Sequence, residues 1–208
     1  MERFFDANNP IMRALGGLVD LVILNLMTIA GMLPIVTFGT AMTAMNNVLI
    51  HMVREDGSYV TRMYKDSYKK NLGQGIKGGL IFIAFTMVTV SELLLLRQVG
   101  SRLSTMLMIV ITVAIAVALV IGIYTFALLA RYENSLKGTL INAVKLFILN
   151  LPRSVAMMLV WMVAIAAVWT LGRGMMILVI LFGLTLPGYV CALIYNHIFE
   201  KLEQGEDE

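Results

Sequence analysis

From Leu103 to Ala130 the chain runs for 28 consecutive residues without an Asp, Glu, Lys or Arg. A helix needs about 20 mostly apolar residues to cross the hydrocarbon core of a bilayer, so this segment alone is long enough to span a membrane. Others accompany it. Ser154–Gly172 supplies 19 such residues and Gly174–Phe199 supplies 26, while Gly78–Leu96 contains one charge, Glu92. Between Arg13 and Arg54 the only such residue is Asp20. Over all 208 residues 59% are hydrophobic and 14% charged, against about 45–50% and about 25% in a soluble domain. The chain lacks the polar residues to cover its own surface. In lipid every backbone polar group must be satisfied internally, which leaves helices as the spanning form. The fold expected is all-α, a polytopic transmembrane helical bundle in one domain.

Leu33-Pro34 and Gly39 interrupt the first apolar stretch, because proline cannot donate to a helix ladder and glycine suits a sharp turn. The spans expected are 14–33, 37–53, 78–96, 103–130, 154–172 and 174–199, six in all. Residues 37–53 also read as a re-entrant segment, which leaves five spans and an external N-terminus. The opening MERFFDANNPIMR mixes acids with arginines and leads to no small-residue cleavage site, so the first span is expected to be retained. On the six-span map, 13 lysines and arginines lie on the side of both termini against Arg97, Arg102 and Arg173 opposite. By the positive-inside rule both termini are expected to face the cytoplasm.

Two basic connections carry helical periodicity. In 59–72 the apolar face is Val60, Met63, Tyr64, Tyr68 and Leu72, with Arg62, Lys65, Asp66, Lys69 and Lys70 mainly off it. In 136–151 the face is Leu136, Leu140, Ala143, Val144, Phe147 and Leu151, with Lys145 off it. Such helices lie in the membrane interface. Elbow helices held by anionic lipid are the plainer reading, and a docking surface for a cytoplasmic protein the functional one. The candidate docking or lipid-binding residues are Arg54, Arg62, Lys65, Lys69, Lys70, Glu133, Lys137 and Lys145. The two connections also resemble each other. Arg54-x-x-x-Ser58 is matched by Arg131-x-x-x-Ser135, and Asn71-Leu72 by Asn150-Leu151. They suggest a parallel repeat of helical hairpin plus elbow helix.

Ionisable and amide groups inside the membrane are the default functional candidates: here Asp20, Asn25, Asn46, Asn47 and Glu92. Arg13 shares a helical face with Asp20 and can neutralise it by snorkelling. Glu92 fits an end-of-span pair with Arg97 or Arg102. The asparagines read most economically as interhelical hydrogen bonders, worth about 1 kcal/mol each. Small residues at Ala114, Ala118 and Gly122, and at Gly188 and Ala192, favour close helix packing, and Pro187-Gly188 should kink the last span. No HExxH, GxSxG or phosphate-cradling loop occurs. One cysteine and two histidines offer no disulfide framework or structural zinc site. No catalytic residue, metal or cofactor is expected, and a net charge of +3 gives no reason to expect nucleic acid.

Asn9-Pro10-x-Met12, Asp20-Leu21, Leu24-Asn25-Leu26, Leu33-Pro34-Ile35-Val36-Thr37-x-Gly39 and Arg54-x-x-Gly57 resemble the signature of the YesL family of bacterial membrane proteins. Asn150-Leu151-Pro152 and Leu186-Pro187 … Tyr195-Asn196-x-x-Phe199 fit the same family. The resemblance implies a protein whose genes accompany carbohydrate-uptake ABC transporters, hence an accessory membrane subunit of a sugar importer. ABC permeases dock their ATPase through a Glu-Ala-Ala-x-x-x-Gly-x9-Ile-x-Leu-Pro motif. Aligned on Leu151-Pro152, Glu133 takes its Glu position and Leu149 its Ile, whereas Asn134, Ser135 and Thr139 depart from it. The partners expected are membrane lipids, subunits of such a transporter and a second copy of the chain. The rival reading is a transporter or channel in its own right that uses Asp20 and the asparagines; a membrane sensor is the third.

Overall fold

The computed structural model describes residues 10–54, 59–171 and 176–204. These residues form α-helices and no strand. In chain order the helices are α1 (Pro10–Met32), α2 (Phe38–Val53), α3 (Val60–Lys70), α4 (Leu72–Val99), α5 (Arg102–Arg131), α6 (Leu136–Leu149), α7 (Leu151–Leu171), α8 (Met176–Phe182) and α9 (Thr185–Gln204), with a 3-10 turn at Ile35–Thr37 between α1 and α2.

Long apolar runs with good caps explain the longest hairpin. Gly100 ends α4 at φ 62, a left-handed conformation that favours glycine. Ser101 then caps α5 in a reciprocal box: the Ser104 N–H donates to Ser101 Oγ at 3.1 Å, and the Ser101 N–H to Ser104 Oγ at 3.0 Å. Towards this tip both helices expose large apolar side chains, among them Met87, Leu94, Leu103 and Val110. Lipid is the medium in which such a surface is stable.

Six spans are expected from the sequence, or five with 37–53 re-entrant; length and composition single out four helices, or five. Leu15–Met32, Leu72–Val99, Arg102–Arg131 and Leu151–Thr170 are long and apolar enough to cross a membrane, and Met176–Phe182 with Thr185–Lys201 makes a fifth only as a pair bent by 41°. The helix read as the second span, α2, has 16 residues. Its placement is as informative as its length. At its start the Phe38 ring meets Phe126 of α5 edge-on at 6.0 Å. At its end Arg54 shares hydrogen-bond acceptors with Arg131 at the end of α5. About 24 Å of α2 thus passes over about 8 Å of α5, at about 1.5 Å per residue. Both ends of α2 lie against the last two turns of α5.

Three glycines, Gly39, Gly75 and Gly79, let α2 lie so close to α4. A Cβ on Gly39 would collide with the Gly75 carbonyl oxygen and come within 2.6 Å of the Gly79 nitrogen. The α1–α2 turn therefore lies beside the second and third turns of α4. Leu33, Ile35 and Val36 are exposed in it. Its loosened backbone is satisfied internally: Thr37 Oγ1 donates to the carbonyls of Gly31 at 2.8 Å and Pro34 at 2.7 Å, and Tyr68 Oη donates to Gly31 at 3.3 Å.

The weak repeat has a counterpart in burial. Val60, Tyr64 and Ser67 are buried in α3, and 79 residues later Thr139, Ala143 and Leu146 are buried in α6. Gly75 of α4 and Ser154 of α7 continue the same offset. Asn71 and Asn150 occupy equivalent ends, each donating back to the carbonyl four residues earlier, Ser67 at 3.0 Å and Leu146 at 3.3 Å. Ser135 caps α6; its sequence counterpart Ser58 lies outside the described residues.

Candidate functional site

Three helix ends converge on one carboxylate. Arg54 caps the C-terminus of α2, Arg131 is the last residue of α5, and Glu203 is in the last turn of α9. Glu203 accepts from Arg131, from Arg54 Nη2 at 3.4 Å and from the Tyr132 hydroxyl at 3.0 Å. Asn196 Oδ1 accepts from Arg54 Nε at 2.9 Å and Arg131 Nη1 at 3.4 Å, while its amide donates to Glu200 at 2.9 Å. Partial burial pushes the Glu203 carboxyl up, but the Tyr132 hydrogen bond and the two guanidinium groups outweigh it and hold its pKa below the ordinary value. Phe199 and Tyr132 flank the Arg131 guanidinium, each ring centre 5.7 Å away. This cluster is a clasp.

A second polar feature repairs a broken helix. Pro187 has no N–H to give and its ring crowds the carbonyl four residues back, at Gly183, where α8 and α9 part. Asn25 of α1, fully buried, fills the break. Its Oδ1 accepts from the N–H groups of Leu184 at 2.9 Å and Thr185 at 3.0 Å, and its Nδ2 donates to the Ile180 carbonyl at 2.7 Å. One carboxamide thus serves the unpaired donors of one helix end and an acceptor of the other. Asn46, also buried, accepts from the Tyr195 hydroxyl at 2.9 Å.

The remaining candidates gather around α3, which packs along α1 and α2. A cavity of about 850 Å³ lies between α1 and α3, lined by Asp20, Ile23, Tyr59, Val60, Thr61, Arg62, Lys65, Asp66 and Lys69. It shares Tyr59, Arg62 and Asp66 with a second of about 570 Å³, which adds Asn47, His51, Ser67, Lys70 and Asn71. A third, of about 460 Å³, continues from Lys70 and Asn71 to Arg131, Glu133 and Asn134. Together they form a polar groove along the elbow helix. Within it Lys70 Nζ pairs with Glu133 at 2.7 Å, and the hydrogen bond and charge of Lys70 hold the Glu133 carboxyl below its usual range.

Asp20 thus faces the elbow helix and its cations. Its expected neutralisation by Arg13 lies outside the described side chains. Glu92 is exposed near the far tip and, among the described residues, pairs with neither Arg97 nor Arg102. Lys137 and Lys145 are exposed on α6. Arg62 approaches Asp66 at 3.9 Å. Among the described residues no three His, Cys, Asp or Glu side chains are grouped to hold a metal ion. Sequence reasoning missed Glu203, Asn196 and Tyr132, although Asn196 lies within a quoted motif and Glu203 in a tail that reads as solvated.

Residues 21–93, from within α1 to within α4, match the family described as "Protein of unknown function, DUF624". The matched segment contains Asn25, the α1–α2 turn, α2 and the whole of α3. No match was found among curated proteins or among solved structures.

Proposed function

We propose that this chain is a non-enzymatic multi-pass protein of the bacterial cell membrane and an accessory, stabilising subunit of a carbohydrate-uptake ABC transporter. The observation that carries the proposal is the pair of short amphipathic helices, α3 and α6, which expose Arg62, Lys65, Lys69, Lys137 and Lys145 beside long apolar hairpins. A basic face at the membrane surface suits an acidic cytoplasmic partner. The carbohydrate assignment rests on the resemblance to the YesL family, with which the match to a family of unknown function is compatible.

In this proposal α4, α5, α7 and the bent α8–α9 pair cross the bilayer, while α1 and α2 form a re-entrant hairpin entered and left on the cytoplasmic side. Both termini then lie in the cytoplasm. Three facts support it: α2 is short, the uncharged α1–α2 turn abuts the early turns of α4, and Asp20 shares a cavity with the cations of α3. Irregular backbone at membrane depth is tolerated where protein groups satisfy it, as Thr37 and Tyr68 do here.

The test is affinity purification of the full chain from its native membrane in mild detergent. A sugar-transporter subunit should co-purify, and changing Lys65, Lys69, Lys137 and Lys145 to Gln should reduce its recovery. Repeated recovery of the chain without any transporter subunit contradicts the proposal. A second reading, transport by this chain alone, is favoured by the position of Asp20 on the largest of these cavities; reconstituted solute flux abolished by Asp20→Asn would establish it.

A further inference from the structure

We infer that the cavity between α1 and α3 is a headgroup site for a zwitterionic aminophospholipid, with the phosphodiester on the α3 lysines and the ammonium on Asp20. Lys65 and Lys69 stand one helical turn apart on the exposed side of α3, and both line this cavity. Like charges at that spacing repel unless an anion lies between them. Neither lysine has an ion-pair partner among the described residues. Across the cavity, on α1, is the carboxylate of Asp20, and no described cation lies within ion-pair distance of it.

The α3 wall of the cavity carries Arg62, Lys65 and Lys69 with one carboxylate, Asp66, which Arg62 approaches at 3.9 Å, and the α1 wall carries Asp20; among the described residues no ion pair joins the two walls. A group that carries both charges, separated, complements both walls. A phosphodiester joined to a primary amine does so, and the amine can also donate hydrogen bonds to the carboxylate. At about 850 Å³ the cavity has room for it. The apolar surface leading away also fits a lipid. Val19, Ile23 and Leu26, at four- and three-residue spacing on α1, are exposed along one side of the helix, and Ile23 lines the cavity itself. An acyl chain following that stripe leaves its headgroup beside α3, at the level where an interfacial helix lies. A purely polybasic surface would instead favour anionic lipid; Asp20 reverses that preference by pairing with the ammonium, which phosphatidylglycerol lacks.

The experiment is native mass spectrometry of the full-length chain released from nanodiscs of equal parts phosphatidylethanolamine, phosphatidylglycerol and phosphatidylcholine. Retention of phosphatidylethanolamine should exceed that of each of the others about five-fold, the value of one charge-assisted contact near 1 kcal/mol. Asp20→Asn should abolish the preference for phosphatidylethanolamine, with phosphatidylglycerol retained at least as well. Lys65→Gln with Lys69→Gln, both at exposed positions, should lower retention of phosphatidylethanolamine by a similar factor. Equal or preferential retention of phosphatidylglycerol by the unmodified chain overturns the inference. So does retention of phosphatidylethanolamine that the double lysine variant leaves unchanged, a readout that stands even if Asp20→Asn fails to fold.

Discussion

Arg54 and Arg131, 77 residues apart in the chain, donate to the same two acceptors, Asn196 Oδ1 and the Glu203 carboxylate. These are the arginines that open the two similar connections. The structural counterpart of that resemblance is a single knot, in which α2 and α5 each bring a cation and α9 brings the anion.

Glu203→Gln should lower the stability of the purified protein at pH 7 by roughly 1 kcal/mol. The side chain is 40% exposed, so solvent screens the pairs and a larger figure is not warranted. The pH dependence has a definite sign. The folded-state pKa of Glu203 lies below its ordinary value, so its contribution is complete above about pH 4.3, the unfolded value. It is lost as pH falls through the lowered folded value. Thermal unfolding in detergent from pH 7 down to pH 3 should show the two proteins converging at the acid end. A difference that stays constant over that range would remove the charge argument.

Asn25→Ala should be costlier, by about 2–3 kcal/mol. Interhelical hydrogen bonds in membranes contribute about 1 kcal/mol each, and here both ends of a helix break lose their partner at once. Asn25→Asp keeps the acceptor for Leu184 and Thr185 but loses the donor to Ile180, and it adds a buried charge. Asn47→Ala, at a half-buried amide lining a cavity, is the control, expected to change stability by less than about 0.5 kcal/mol. Equal melting temperatures for Asn25→Ala and Asn47→Ala would contradict the role assigned to Asn25.

Gly39→Ala and Gly79→Ala should each destabilise by about 1–3 kcal/mol, the usual cost of overpacking. The new methyl group at either position meets backbone, which cannot swing aside. A Cβ on Gly79 would lie 2.6 Å from the Gly39 nitrogen. Gly73→Ala is the opposite case. Nothing lies within 4 Å of its Cβ position, and alanine favours the helix by up to about 1 kcal/mol. Melting curves of the three variants decide it: if Gly79→Ala melts no lower than Gly73→Ala, α2 and α4 do not approach as closely as described.

The helical membrane class was legible because charge-free runs such as Leu103–Ala130 admit few alternatives. The elbow helices were legible from 3–4 spacing: residues 59–72 and 136–151 enclose Val60–Lys70 and Leu136–Leu149. What stayed hidden was direction. Hydropathy counts residues that tolerate lipid but is silent about tilt, so residues 37–53 read both as a span and as a re-entrant segment, and only the 16-residue length of α2 and its packing against α4 bear on the choice. The clue was the run of glycines at 73, 75, 78 and 79, whose meaning depends on what packs there. Glu203 was hidden for another reason. An acidic tail reads as solvated, and only the meeting of three helix ends gives one of its carboxylates two arginines. Asn25 was visible as a buried amide, but its partners are backbone groups of a helix break about 155 residues away, which no side-chain pattern announces.

The most direct test of the proposed topology uses single cysteines in a Cys191→Ala background and a membrane-impermeant maleimide added to intact cells. Ser101→Cys, at the tip between α4 and α5, should label from outside. Ile35→Cys in the α1–α2 turn and Lys145→Cys on α6 should label only after the cells are opened, or not at all. Labelling of Ile35→Cys from outside to the same extent as Ser101→Cys would show α1 and α2 to be full crossings, and labelling of Lys145→Cys from outside would place the basic helices on the wrong side of the membrane.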